Sequence, residues 1–262
     1  METLKILTEF YSNYDEEGRL LSRHGQVEYL TTMRYIGKYL RPGMRILEVG
    51  AATGRYSHTL AQTGYQVDAV ELVQHNIDLF HEKTIPGECV SIRQGDARDL
   101  SYFADDTFDM TLVLGPMYHL FTEKDQLQAL SEALRVTKRG GIVCAAYCGN
   151  EATMVQYCFG RGMIREQRYR DLIDPVTFKA SSDPAELFQL YRKEEIDALM
   201  DHFSVTRLHY VGTDMATNYM RETVDAMDDE MFDLYLRYHF AICERADCVG
   251  TSHHILDVLR KE

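Results

Sequence analysis

Between Met44 and Cys148, short apolar runs alternate with segments of helical periodicity, and this alternation limits what the chain can fold into. The runs are "MRILEV", "QVDAVEL", "CVSIRQGD", "FDMTLVLG" and "IVCAAYC". Strands that alternate with helices build a parallel sheet through right-handed crossovers, so the expected class is α/β with helices on both faces. Upstream, Val27, Leu30, Met33, Ile36 and Leu40 recur at three- and four-residue steps and mark one face of a helix, which "RPG" at Arg41–Gly43 ends. "TEKDQLQALSEALRVTK" predicts another helix, with Thr122 as its cap and "RGG" as its stop.

After Gly149 the rhythm changes. Residues 150–186 carry no regular pattern, "RKEEIDALMDH" predicts a helix and "SVTRLHYVG" a strand. A long helical stretch over 216–247 then precedes a last strand, "HHILDVLR". The expected organisation is a single domain over 1–262. Helices in 1–40 would form a lid and 41–149 the ligand-binding core; 150–186 and 216–247 would be lid insertions, with 187–215 and 248–262 completing the core.

Charge narrows the possible partners. Lys and Arg number 28 against 41 Asp and Glu, a net charge of -13, and nonspecific nucleic-acid binding needs the opposite surplus, so no nucleic acid is expected. Six cysteines show no CxxC spacing and no dense disulfide framework, which points to reduced thiols and a cytoplasmic location. No apolar segment approaches the ~20 residues of a membrane span, so no membrane association is expected.

In an open parallel sheet a ligand sits beyond the carboxyl ends of the strands, where their order switches. There the sequence reads "RILEVGAATGRYS", a carboxylate two residues before a small-residue turn, without the GxGxxG spacing of a dinucleotide site. Glu71 ends the second strand, where a carboxylate can accept both hydroxyls of a ribose, and Asp96 ends the third in "QGDARDL". "LVLGPMYHL" ends the fourth.

With these motifs in order, the chain resembles the class I S-adenosylmethionine-dependent methyltransferases, whose E/DxGxGxG signature is matched by Glu48, Gly50, Ala52 and Gly54. Ala52 departs from it at the middle glycine. The resemblance implies a Rossmann-like, seven-stranded, mostly parallel sheet with an antiparallel last strand, plus helical lid insertions. It also implies S-adenosylmethionine as cofactor, held by Glu48, Gly50, Ala51, Ala52, Gly54, Glu71, Leu72, Asp96, Ala97, Leu114 and Gly115. The segments "GPMYHL", "RHGQVEYLTT" and "YHFAICERADCVGTSHHILDV" are similar to a bacterial small-molecule-type subgroup, implying transfer to an O, N or S nucleophile of a small molecule. A protein or RNA methyltransferase and a non-catalytic S-adenosylmethionine-binding module are the alternatives. The [D/N]PP[Y/F/W] motif of enzymes that methylate base nitrogens or glutamine amides is absent; Gly115-Pro116-Met117-Tyr118 stands there.

Tyr118 and His119 follow the fourth strand directly and are the candidate catalytic residues, since an imidazole titrates near ~6.5 and suits a general base. A packing histidine at a helix entry is the competing reading. Tyr11 and Tyr14 are candidate substrate contacts, able to meet a sulfonium through cation–π attraction. Arg161, Arg165 and Arg168 fall at i, i+4 and i+7, so a helix would present them together, toward an acidic acceptor or toward solvent beside Glu166. His253 and His254 should alternate across a strand, so no metal is expected. Gly50→Val is expected to leave the fold intact and abolish cofactor binding, on the premise that a side chain there would fill ligand space.

Overall fold

The structure, a computed structural model, describes residues 2–14, 16–186 and 188–262; Met1 and Leu187, where two of the expected segments begin, and Asp15 lie outside the described residues. Three helices, α1 (Glu2–Asn13), α2 (Glu16–Leu21) and α3 (Arg23–Gly37), precede the sheet. The Ser22 side chain caps α3 by accepting from Gly25 N, and the expected apolar face turns inward, with Val27 and Ile36 fully buried.

The core then alternates as the sequence predicts: β1 (Arg45–Val49), α4 (Arg55–Gln62), β2 (Gln66–Glu71), α5 (Gln74–Lys83), β3 (Val90–Gln94), β4 (Phe108–Val113), α6 (Glu123–Val136) and β5 (Thr137–Gly149). Thr122 caps α6 by accepting from Asp125 N. The helix stops before "RGG", because Thr137 already pairs with Phe108 of β4. Lys138 to Gly141 form an irregularity at the start of β5, which regains register at Ile142 opposite Met110.

Beyond β5 come α7 (Asn150–Thr153), π-turns over Met154–Phe159, α8 (Gln167–Asp171), β6 (Leu190–Tyr191), α9 (Lys193–Met200) and β7 (Val205–Gly212). The single helix expected over 216–247 is instead broken into a 3₁₀ turn (Met215–Tyr219), α10 (Arg221–Asp225), α11 (Asp229–Ile242) and α12 (Ala246–Val249). Asp228 stands outside helical geometry and caps α11 through Met231 N, so the break is built into the sequence. The chain closes with β8 (His254–Lys261).

The strands form one sheet in the order β3-β2-β1-β4-β5-β8-β7, with β6 as an eighth, two-residue strand parallel to the end of β5. β8 runs antiparallel to both β5 and β7, as the resemblance implies. Both faces of the central strands are covered, so β1 and β4 are buried along almost their whole length. On one face Ile46, Met110, Leu112 and Cys144 pack with Tyr35, Ile36 and Leu60; on the other Val113, Val143 and Ala145 pack with Leu130, Leu134, Ile196 and Leu199. Strand order reverses between β1 and β4, so their carboxyl ends open into a crevice. No helix among the described residues is long and apolar enough to cross a membrane.

Candidate functional site

The crevice is a chamber of about 520 Å³. Its walls include Glu48, Gly50, Ala51, Ala52, Glu71, Leu72, Asp96, Ala97, Leu114 and Gly115, together with Tyr11, Tyr118 and His119. Gly54 does not line it; that residue, at φ 87°, precedes α4, where a Cβ would lie 2.4 Å from the Phe80 ring.

The turn is pinned by the end of β2. Gly50 N and Ala51 N donate to Val70 O, at 2.8 and 3.1 Å, and Ala52 N donates to Glu71 Oε2 at 2.8 Å. Glu71 Oε1 accepts from Val73 N at 2.9 Å and Asn76 Nδ2 at 3.3 Å. The carboxylate thus clamps two loops while its remaining lone pairs can accept hydroxyl donors from a ribose. Burial raises its pKa against the opposing pull of these N–H donors.

At Gly50 the expectation about ligand space is corrected. The residue sits at φ 73°, and a Cβ would lie 2.7 Å from Pro116 Cδ, so it is the chain's own post-β4 segment that requires glycine. The middle position is different: Ala52 holds φ 47°, in the left-handed region where a Cβ is strained. Two opposite outcomes are expected in thermal unfolding. Gly50→Val should lose roughly 2–4 kcal/mol of stability from strain plus overpacking. Ala52→Gly should gain about 0.5–1 kcal/mol net, once the added freedom of the unfolded chain is subtracted.

Glu48 is 1% exposed, and its Oε2 accepts from the Ser57 hydroxyl. Burial, aided by the nearby Glu71 charge and opposed by Ser57, pushes its carboxyl up to about 8. A group whose folded value lies above its ordinary 4.5 favours the folded state fully below 4.5 and loses that contribution as pH rises through about 8. The ligand-free protein should therefore lose stability on the order of 5 kcal/mol from this group across that window. Glu48→Gln should flatten the dependence of stability on pH between urea melts at pH 6 and pH 9; an unchanged dependence would mean that Glu48 does not ionise within that window in the folded protein. A ligand ammonium beside Glu48 would favour the ionised form.

Asp96 reaches the chamber from the loop after β3. Burial raises its carboxyl, but hydrogen bonds from Arg98 N, Nε and Nη2, at 2.9, 3.0 and 2.6 Å, hold it below its usual value. Beyond β4, Tyr118 donates its hydroxyl to Leu114 O at 2.9 Å, so its ring rather than its proton is offered to the chamber. His119 Nε2 lies 2.8 Å from the Tyr11 hydroxyl, and the His119 ring rests against Phe188.

A second chamber of about 380 Å³ adjoins the first, and both are lined by Tyr11, Arg19, Glu28, Tyr118 and His254. Tyr14 belongs only to the second, with Phe10, Tyr157, Tyr169 and Phe188. Arg161 and Arg165 line neither. Gly162, at φ 73°, breaks the helix expected to align them, and both are exposed, Arg161 stacking on Tyr157. Arg168 pairs with Glu166 at 3.0 Å. Of the 216–247 insertion only its start reaches the second chamber, through Thr217, Asn218 and Arg221; α11 packs away from it, with Phe232 on Val27.

Some lining residues escaped the sequence reading. Glu28, 12% exposed in its side chain, sits beside the apolar stripe of α3 and pairs with Arg19; its place one residue after Val27 was the available signal. The strand alternation expected to separate His253 from His254 does not apply, because β8 begins at His254 and His253 stands before it. Their Nδ1 atoms are 3.4 Å apart. Of the six cysteines four are buried, and none is in a disulfide.

Residues 47–145 match the family described as "Methyltransferase domain". A cypemycin N-terminal methyltransferase from Streptomyces sp is 30% identical over 131 residues, 45% of this chain and 51% of that protein, so the match spans about half the relative's length. A demethylmenaquinone methyltransferase from Clavibacter sepedonicus is 29% identical over 75% of each chain. Among solved structures, an S-adenosylmethionine-dependent methyltransferase from Thermotoga maritima, described as a possible histamine N-methyltransferase, superposes with a TM-score of 0.59 at 17% identity. That match covers 99% of this chain and 100% of the other, a likeness of fold. Residues 47–145 thus form a methyltransferase domain, and with a buried acid ending β2 and a clamped small-residue turn after β1 the chain is similar to the class I S-adenosylmethionine-dependent methyltransferases.

Proposed function

We propose that the chain transfers a methyl group from S-adenosylmethionine, bound in the 520 Å³ crevice, to an oxygen, nitrogen or sulfur nucleophile of a small molecule held in the 380 Å³ chamber. The observation that carries this reading is the wall the two chambers share, which gives two ligands one junction at Tyr11 and Tyr118. A chamber of that volume, lined by seven phenylalanine and tyrosine rings together with charged and polar side chains, suits a compact, partly apolar acceptor. The Clavibacter relative's name denotes a small-molecule acceptor, which supports the same class.

S-adenosylmethionine supplies an electrophilic methyl on a sulfonium; the chain's residues bind, align and exclude water. Glu71 would hold the ribose, Asp96 the adenine amino group and Glu48 the ammonium end. His119 is the candidate base for an acceptor that arrives protonated, oriented by the Tyr11 hydroxyl. We read α1 to α3, the 150–186 segment and the start of the 216–247 insertion as the cover of the acceptor chamber. Incubation of the protein with methyl-labelled S-adenosylmethionine and fractionated cell extract tests the proposal. Label should pass to a small molecule, with S-adenosylhomocysteine released in equal amount. Label confined to protein or RNA would overturn the acceptor class, and binding without release would favour a non-catalytic module.

A further inference from the structure

Asp214, His253 and His254 converge on the wall of the acceptor chamber, although 39 residues separate the aspartate from the first histidine. Topology brings them together: β7 ends at Gly212 and β8 starts at His254, antiparallel and adjacent, so the residues after one strand meet those before the other. Asp214 Oδ1 is fixed by His253 N at 2.8 Å, His254 N at 3.1 Å and the Ser252 hydroxyl at 2.7 Å. That anchoring turns Oδ2 toward the imidazoles, 2.8 Å from His254 Nδ1 and 4.0 Å from His253 Nδ1, while the two Nδ1 atoms are 3.4 Å apart. Glu28 Oε2 adjoins the same His254 Nδ1 at 3.2 Å.

We infer that Asp214, His253 and His254 form a binding site for one divalent transition-metal ion, with Glu28 beside it and an open position facing the acceptor chamber. Donors about 2.1 Å from a common tetrahedral centre lie about 3.4 Å from one another, and the three separations here average to that spacing. His254 Nδ1 faces two carboxylate oxygens and a second imidazole nitrogen but can offer only one hydrogen, so a proton network leaves part of this convergence unmatched. A metal ion satisfies all the donors at once. Two imidazoles and a carboxylate favour zinc, cobalt, iron or nickel over calcium and magnesium, which take all-oxygen shells. The open position would take an oxygen or nitrogen of the acceptor and lower the pKa of a hydroxyl bound there. The ion's role toward the acceptor rests on the methyl-transfer reading, whereas ion binding itself does not, and its test needs no turnover.

Chelator-treated protein is titrated with Zn²⁺ by calorimetry and with Co²⁺ by visible absorption. Expected are one ion per chain, intense visible bands of low-coordinate Co²⁺, displacement of those bands by Zn²⁺, and an upward shift in melting temperature with either ion. His253→Ala should abolish the bands and weaken Zn²⁺ binding by roughly 100-fold or more, since losing even an outer-shell partner costs 10–100-fold. The variant's competence is checked by its S-adenosylhomocysteine binding; should it fail that check, His253→Gln carries the same comparison. Absence of stoichiometric binding in the wild-type protein, or binding that survives loss of His253 in a folded variant, would overturn the inference.

Discussion

His119→Asn should depress kcat by about 10²–10⁴ while leaving the affinity for S-adenosylhomocysteine unchanged, the signature of losing a general base rather than a binding contact. The ring lies in the short turn (Pro116–His119) after β4, where the proposed transfer would carry the methyl from the crevice toward the second chamber. Tyr11 sets its orientation through Nε2 from a helix 108 residues away in sequence, and Phe188 and Tyr118 pack on the imidazole. Asparagine keeps a polar side chain there but cannot take up a proton. If the imidazole only packs, the variant's melting temperature should fall and the turnover of its folded fraction should stay normal. Tyr11→Phe removes the orienting hydroxyl and leaves the imidazole in place, so its loss of turnover should fall between these outcomes.

Glu71→Ala should weaken S-adenosylhomocysteine binding by about 10–150-fold, the equivalent of roughly 1.5–3 kcal/mol for lost hydrogen bonds to a charged group. The structure adds a cause beyond the ribose. Ala52 N, Val73 N and Asn76 Nδ2 all donate to this carboxylate, so its removal loosens both the turn after β1 and the loop after β2. Glu71→Gln keeps a carbonyl acceptor and should lose less. The two variants separated by titration calorimetry would distinguish an acceptor role from a requirement for the full carboxylate.

The parts legible in the sequence are those whose signal is local. β1, its turn and the helix after it lie within eighteen residues, and burial on both faces makes β1 and β4 mostly apolar, interrupted at Glu48, Asp109 and Thr111. Glu71 closes β2 as the alternation predicts, whereas Asp96, expected to end the third strand, stands two residues past the end of β3 at Gln94. What failed was set by contacts across the chain. β6 is only two residues long, and its pairing with Cys148 and Gly149 leaves no periodic trace. The arginine spacing of 161, 165 and 168 suited a helix that Gly162 interrupts. The break at Met220 and Asp228 turned one expected helix into several, and with it moved most of that insertion off the second chamber. The Asp214–His253–His254 cluster was out of reach because strand alternation was applied one residue before the strand begins. At Gly50 the position was identified but its reason was not, since only the fold brings Pro116 against it.

The crevice beyond β1, β2 and β4 is expected to bind the adenosyl cofactor. Titration calorimetry of S-adenosylhomocysteine into the wild-type protein, with NAD as comparator, tests it most directly. Saturable binding at one site per chain is expected for S-adenosylhomocysteine and no heat with NAD, whose pyrophosphate has no GxGxxG cradle here. No binding of S-adenosylhomocysteine, or equal binding of NAD, would contradict it.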